Sequence, residues 1–65
     1  MKARPEILSI GSTAARFGIG THVLRYWEDE GLLAPERDGS GYRRYGPDDL
    51  VRIAVILRNQ LAGMT

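Results

Sequence analysis

The sequence predicts a mainly α domain with one small β-hairpin, arranged as a winged helix-turn-helix. Two observations predict it. First, two short helical segments, 10–17 and 21–30, are joined by Gly18-Ile19-Gly20, the short glycine-containing turn of a helix-turn-helix. Second, the glycine-introduced cluster Gly41-Tyr42-Arg43-Arg44-Tyr45 falls between the second of these helices and a third that opens at Pro47. A hairpin wing occupies that position in such a domain.

The elements follow in order. Residues 1–8 have no clear period and carry Pro5, so they read as a tail with a short strand around Ile7 and Leu8. Ser9 is an N-cap for a helix over 10–17, because its hydroxyl can accept from a free N–H of the first turn. Ile10, Ala14 and Phe17 share one face, and Gly18 supplies the positive φ that ends the helix. The second helix, 21–30, has Val23, Leu24 and Trp27 on its apolar side and His22, Arg25, Tyr26 and Asp29 elsewhere, and Gly31 stops it. Leu32 and Leu33 read as a short buried strand, 34–40 as a turn, and 41–45 as the returning strand. Alternation puts Tyr42 and Arg44 on one face of that strand and Arg43 and Tyr45 on the other. Pro47 suits a first helical position, and Asp48 and Asp49 suit the positive end of the helix dipole. This third helix is expected to run to Ala62, with Gly63 as its stop. Leu50, Ile53, Ala54, Leu57 and Leu61 form one stripe along it, and Val51, Val55 and Ala62 form a second. One stripe closes the core, and the second hints at a partner segment outside the chain.

Composition narrows the function classes. Sixty-five residues make one small domain with marginal stability of its own. There is no cysteine, so no disulfide framework and no thiolate metal site, and a single histidine cannot build a zinc site without carboxylates. No metal, cofactor or catalytic role is expected, because no phosphate-cradling glycine loop or triad is present. No apolar run approaches the roughly 18 residues of a membrane span. Nine basic against eight acidic residues give a net charge of +1, too balanced to announce a nucleic-acid binder. Distribution says more: acids gather at Glu28-Asp29-Glu30 and Asp48-Asp49, while 39–47 contain two arginines and no acid. Arginine forks pair with phosphate oxygens and tyrosine hydroxyls add hydrogen bonds, so the 41–45 cluster suits a nucleic-acid backbone.

Each of these residues also has a plainer reading. Arg43 and Arg44 could be the charged edges of a solvated hairpin, with Arg44 packing against Glu36. Arg25 could pair with Asp29 one turn on, a surface ion pair worth about half a kcal/mol or less. Tyr42 could pack under the hairpin, Tyr26 could be a surface tyrosine and His22 an exposed histidine. Glu28-Asp29-Glu30 reads as a solvated helix end, and Trp27 as core.

With helices and wing in place, the chain resembles the N-terminal DNA-binding domain of the MerR family of bacterial transcription regulators. The resemblance rests on Ile10-Gly11, Ala14, Phe17-Gly18-Ile19, Leu24-Arg25-Tyr26-Trp27-Glu28, Gly31-Leu32-Leu33-Ala34-Pro35, Gly41-Tyr42-Arg43-Arg44-Tyr45 and Asp48-Asp49-Leu50, in that order and spacing. It covers 9–65 as one winged helix-turn-helix domain after the 1–8 tail. It implies a homodimeric, cytoplasmic, nucleoid-associated transcription factor that binds double-stranded DNA and distorts a promoter for RNA polymerase. The second helix would read the major groove and the wing would grip the flanking backbone. On that resemblance His22 takes a base-contacting place beside Thr21, Arg25 and Tyr26 a phosphate-contacting pair, and Tyr42 and Arg43 the wing contacts. Arg37 stands further out on the wing, and Arg16 near the end of the first helix.

Three departures from the family pattern stand out. Gly20 replaces the usual Ser or Thr N-cap. His22 replaces a commoner basic residue. Thr65 falls where a second helical pair would begin, so the dimerisation helix and effector region are expected to lie outside this chain. Two other readings of the residues remain beside this one: a stand-alone DNA-bending protein of the excisionase type, and a winged-helix module whose basic wing meets an acidic protein.

Overall fold

The computed structural model describes residues 7–62, with side chains for 7–60. The element order is α1 (Ile10–Phe17), α2 (Thr21–Asp29), β1 (Glu36–Arg37), β2 (Arg43–Arg44) and α3 (Pro47–Ala62). These are the three helices and one hairpin that the sequence predicts.

A glycine at positive φ closes each of the two helices of the helix-turn-helix. Ser9 Oγ accepts from Ser12 N at 3.1 Å, capping α1. Gly18, at φ 67°, ends it. Ile19 N–H then returns to Ala14 O at 3.0 Å, satisfying a carbonyl the helix leaves open. The same device ends α2: Gly31 takes φ 78°, and Leu32 N–H donates to Trp27 O at 2.8 Å.

That bond explains why the expected Leu32-Leu33 strand does not form. Leu32 N–H is committed to closing α2, so no ladder can start there, and its side chain is left 41% exposed. Leu33 alone turns inward, and β1 begins only at Glu36.

The hairpin is antiparallel, with Glu36 opposite Arg44 and Arg37 opposite Arg43. Its loop is organised by Asp38, whose Oδ1 accepts from Ser40 N at 2.9 Å and Tyr42 N at 3.0 Å. The alternation expected along 42–45 is observed: Tyr42 and Arg44 are exposed, Arg43 is half-buried and Tyr45 is buried. The expected strand around Ile7 and Leu8 is a single antiparallel bridge, Leu8 to Tyr45. It is closed by Leu8 N to Tyr45 O at 2.9 Å and Tyr45 N to Leu8 O at 2.8 Å.

Helix α3 starts with a side-chain cap: Asp49 Oδ2 accepts from Gly46 N at 3.0 Å, and Pro47 fills the first helical position. Of the first predicted stripe, Ile53 is buried, Leu50 and Leu57 are partly buried, and Ala54 faces out. Ile56, assigned to neither stripe, also packs on the core. Val51 and Val55 of the second stripe are exposed. The Leu61 and Ala62 side chains, and Gly63, lie outside the described residues.

The core gathers Ala14, Leu24, Trp27, Leu33, Tyr45 and Ile53, with Ile10, Phe17, Ile19 and Val23 packed at its margin. Thr13 is buried too, its hydroxyl satisfied by Ser9 O at 2.7 Å. All three helices, together with Leu33 before the hairpin and Tyr45 just after it, therefore contribute to one apolar cluster.

Candidate nucleic-acid interface

Helix α2 presents two kinds of surface. Leu24 and Trp27 are buried, while His22, Arg25, Tyr26 and Asp29 are exposed. Positions three and four apart share a row on a helix. Thr21, Arg25 and Glu28 therefore form one edge of the outer face, and His22, Tyr26 and Asp29 the next.

Arg25 Nη1 lies 3.4 Å from Thr21 Oγ1, so it leans toward the start of the helix and not toward Asp29, the alternative partner named above.

The helix begins without a side-chain cap. Gly20 is extended, at φ −81° and ψ 155°, and only its carbonyl takes part, accepting from Val23 N at 3.1 Å. The His22 ring folds back over it. A Cβ on Gly20 would lie 2.5 Å from His22 Cε1 and 2.6 Å from Nδ1, closer than atoms of this kind approach. The imidazole thus occupies the space that a Cβ at the bare N-cap would take.

Wing and helix meet at Glu28, whose side chain is only 15% exposed. Arg43 Nε donates to Glu28 Oε2 at 2.5 Å, and the Tyr45 hydroxyl donates to the same oxygen at 2.9 Å. Arg37 Nη2 is 3.8 Å from Oε1, and Arg37 Nη1 also donates to Gly41 O at 3.0 Å. Burial pushes the Tyr45 phenol above its ordinary range, and the Glu28 carboxylate adds to that. The phenol therefore stays protonated at neutral pH and remains a donor. Charge-assisted bonds of this kind are shorter and stronger than neutral ones, and here they tie β2 to α2 by side chains alone.

This architecture has counterparts. Residues 8–65 match the MerR HTH family of regulatory proteins. The chain belongs to that family. It is 36% identical over 58 residues to the HTH-type transcriptional regulator HmrR of Rhizobium leguminosarum bv. viciae, spanning 89% of this chain and 45% of that relative. It is 39% identical over 57 residues to the mercuric resistance operon regulatory protein of Bacillus cereus, spanning 86% and 43% of the two. Among solved structures, it resembles the crystal structure of HiNmlR, a MerR family regulator lacking the sensor domain, bound to promoter DNA. The TM-score is 0.82 at 30% identity, over 92% of this chain and 46% of that one. The MerR-family chain thus spans less than half the length of each of these relatives.

Within this MerR domain, the residues singled out in the sequence divide into two groups. His22, Arg25 and Tyr26 share the outer face of α2, with Thr21 half-buried at its start. Tyr42, 72% exposed, stands on the wing and does not pack under it. Arg43 and Arg37 are brought to α2 through Glu28, Arg43 with its side chain only 20% exposed. Arg44 turns to Asp38, at 3.7 Å, and not to Glu36 across the strand. Arg16 is exposed in the last turn of α1.

The reading of Glu28-Asp29-Glu30 as a solvated end is corrected at Glu28. Asp29 and Glu30 are exposed, but Glu28 stands four residues after buried Leu24, which turns it toward the hairpin. Tyr45, wholly buried, joins the site as well, through its hydroxyl on Glu28. One signal could have found both. Alternation already put Arg43 and Tyr45 on one face without saying which; once that face is taken as the inward one, as the structure has it, two inward-facing donors need an acceptor. Glu28 is the acid that helical spacing offers.

Proposed function

We propose that the chain is the double-stranded-DNA-binding head of a transcription regulator. In this reading α2 enters the major groove, His22 and Thr21 meet base edges, and Arg25 and Tyr26 meet phosphates. The wing reaches the flanking backbone with Tyr42, Arg43 and Arg37, while Arg16 contacts the backbone from α1. The observation that carries the reading is the pairing of an exposed α2 face bearing His22, Arg25 and Tyr26 with a hairpin fastened beside it at Glu28. A helix for the groove and a second element for the backbone are the two parts such recognition needs. The family supports the rest: two heads joined as a homodimer through a region beyond residue 65, acting in the cytoplasm on a promoter. Distortion of that promoter presents it to RNA polymerase, a use of DNA deformability.

The test is the salt dependence of duplex affinity. Each phosphate neutralised contributes about 0.9 to the slope of log K against log salt. If Arg16, Arg25, Arg37 and Arg43 contribute in part, the slope per chain is about −2 to −4. Arg43→Ala should weaken binding to all sequences and flatten the slope, whereas His22→Ala should alter sequence preference more than overall affinity. A duplex affinity that ignores salt overturns the reading in favour of a protein partner. Assembly of the chain on DNA alone would favour the stand-alone bending protein over a regulator head.

A further inference from the structure

Glu28 carries a negative charge between two elements that the proposed function sets against a polyanion. An acid in that place should weaken duplex binding, unless what it holds in position is worth more than what its charge repels. Three features of its surroundings argue that it is. It accepts hydrogen bonds from Arg43 of β2 and from the Tyr45 phenol that follows β2, and it forms a longer ion pair, 3.8 Å, with Arg37 of β1. The strands themselves span two residues each and contribute no buried side chain, so the hairpin has little apolar surface with which to fix its own angle to α2. Tyr45 joins the carboxylate to the core, since its ring is wholly buried and its backbone is bridged to Leu8.

We propose that Glu28 is a positioning residue for DNA binding. It sets the wing relative to the reading helix, so that its removal lowers duplex affinity although a repelling charge is lost. The inference rests on the DNA-binding reading and deepens it. It also changes the part assigned to Arg43, whose Nε–H serves Glu28 and leaves the outward edge of the guanidinium to face a phosphate.

The experiment compares the 65-residue chain with Glu28→Gln, Glu30→Gln and Tyr45→Phe, titrating a mixed-sequence duplex at several salt concentrations. Glu30 is exposed, so Glu30→Gln reports the loss of one charge at the end of α2 alone, and affinity should rise or stay level. Glu28→Gln keeps the side chain's size and should bind about tenfold more weakly, with the salt slope shallower by about one phosphate contact. Tyr45 is buried beyond reach of a duplex, so a loss with Tyr45→Phe, smaller but in the same direction, reports positioning only. Simple destabilisation reduces the active fraction without changing the slope. Circular dichroism at the assay temperature identifies any variant that has unfolded, and Tyr45→Phe then stands in for Glu28→Gln. Hydrogen exchange at the Leu8–Tyr45 bridge and the Asp38–Tyr42 loop, read without DNA, should quicken in Glu28→Gln and Tyr45→Phe. A folded Glu28→Gln that binds as tightly as Glu30→Gln, with the wild-type slope, overturns the positioning role while leaving the proposed function intact. Absence of salt-dependent binding by the wild-type chain removes both.

Discussion

Gly20→Ser tests whether the bare N-cap of α2 and the folded-back His22 are one arrangement. The backbone is ready for the serine: Gly20 lies at φ −81° and ψ 155°, close to the φ −74° and ψ 169° of Ser9, which caps α1 through its hydroxyl. A serine cap in place of glycine contributes a few tenths of a kcal/mol. Removing the glycine also narrows the unfolded ensemble, for a further ~0.4–1 kcal/mol. Against this, the new Cβ would meet His22 Cε1 at 2.5 Å, so the ring must move. The ring is exposed and can leave, and holding it off its rotamer costs about 0.5–1.5 kcal/mol. The net change in an otherwise wild-type chain is therefore between about −1 and about +1 kcal/mol, equivalent to no more than about 8 °C in Tm in either direction for a domain of this size. In a His22→Ala background nothing obstructs the Cβ, and the same substitution should show its full gain of about 1 kcal/mol. Thermal unfolding of the four chains closes the double-mutant cycle, with an expected coupling of about 0.5–1.5 kcal/mol. A coupling inside the roughly 0.3–0.5 kcal/mol scatter of independent sites would refute the claim that glycine is there to accommodate the imidazole.

Three other expectations follow from the same geometry. Leu24→Ala removes a fully buried side chain from α2 and should cost about 2–5 kcal/mol. A 65-residue domain has about 3–10 kcal/mol in all, so urea unfolding should show this variant losing a large fraction of its stability; a loss under about 1 kcal/mol would contradict the core assigned here. Tyr42→Ala should leave the unfolding midpoint within the roughly ±0.5 kcal/mol typical of surface changes while lowering duplex affinity, because the ring is 72% exposed; unchanged affinity removes it from the interface. Asp38 gives a pH prediction. The Tyr42 N–H foremost, with help from Ser40 N–H and Arg44, holds its carboxyl below the ordinary 3.8. Its ionised form is therefore favoured by folding. The contribution is complete above 3.8 and is lost as pH falls through the lower folded value. Amide shifts of Ser40 and Tyr42 should stay constant at pH 5 and titrate with a midpoint under 3.8; a midpoint at or above 3.8 contradicts the loop geometry.

The helices were legible in the sequence because their signals are local. Ser9, Gly18, Gly31 and Pro47 mark their bounds through backbone chemistry that needs no distant partner, and the α1 and α3 bounds agree with expectation to the residue. Leu32-Leu33 misled for the opposite reason. Two adjacent leucines carry no period, and the deciding fact, Leu32 N–H closing α2, belongs to the turn and not to the side chains. On the candidate site, sequence supplied the outward residues, since exposure on α2 follows from Leu24 and Trp27 facing in. Arg43 and Glu28 are fifteen positions apart, and their meeting depends on where the hairpin folds back.

The polar attachment of the wing has a physical logic. A two-stranded hairpin is at best marginally stable alone in water, and this one has strands of two residues each without a buried side chain. Only Tyr45, just beyond β2, reaches the core. An apolar attachment would need more side chains turned inward, and with so few positions those would be the ones now available to meet a ligand. A carboxylate solves this differently. One Glu28 accepts from two donors at fixed directions, with Arg37 paired at longer range, so it orients the hairpin as well as holding it. The cost is that its charge becomes half-hidden, and removing any donor leaves that charge less compensated. The arrangement is therefore sensitive at Arg43 and Tyr45 together, although only Arg43 could touch a duplex. For a surface meant to meet phosphates, an internal anion has one further effect: it draws the Arg43 and Arg37 guanidiniums to the junction of wing and helix, the two elements that the proposed function sets against DNA.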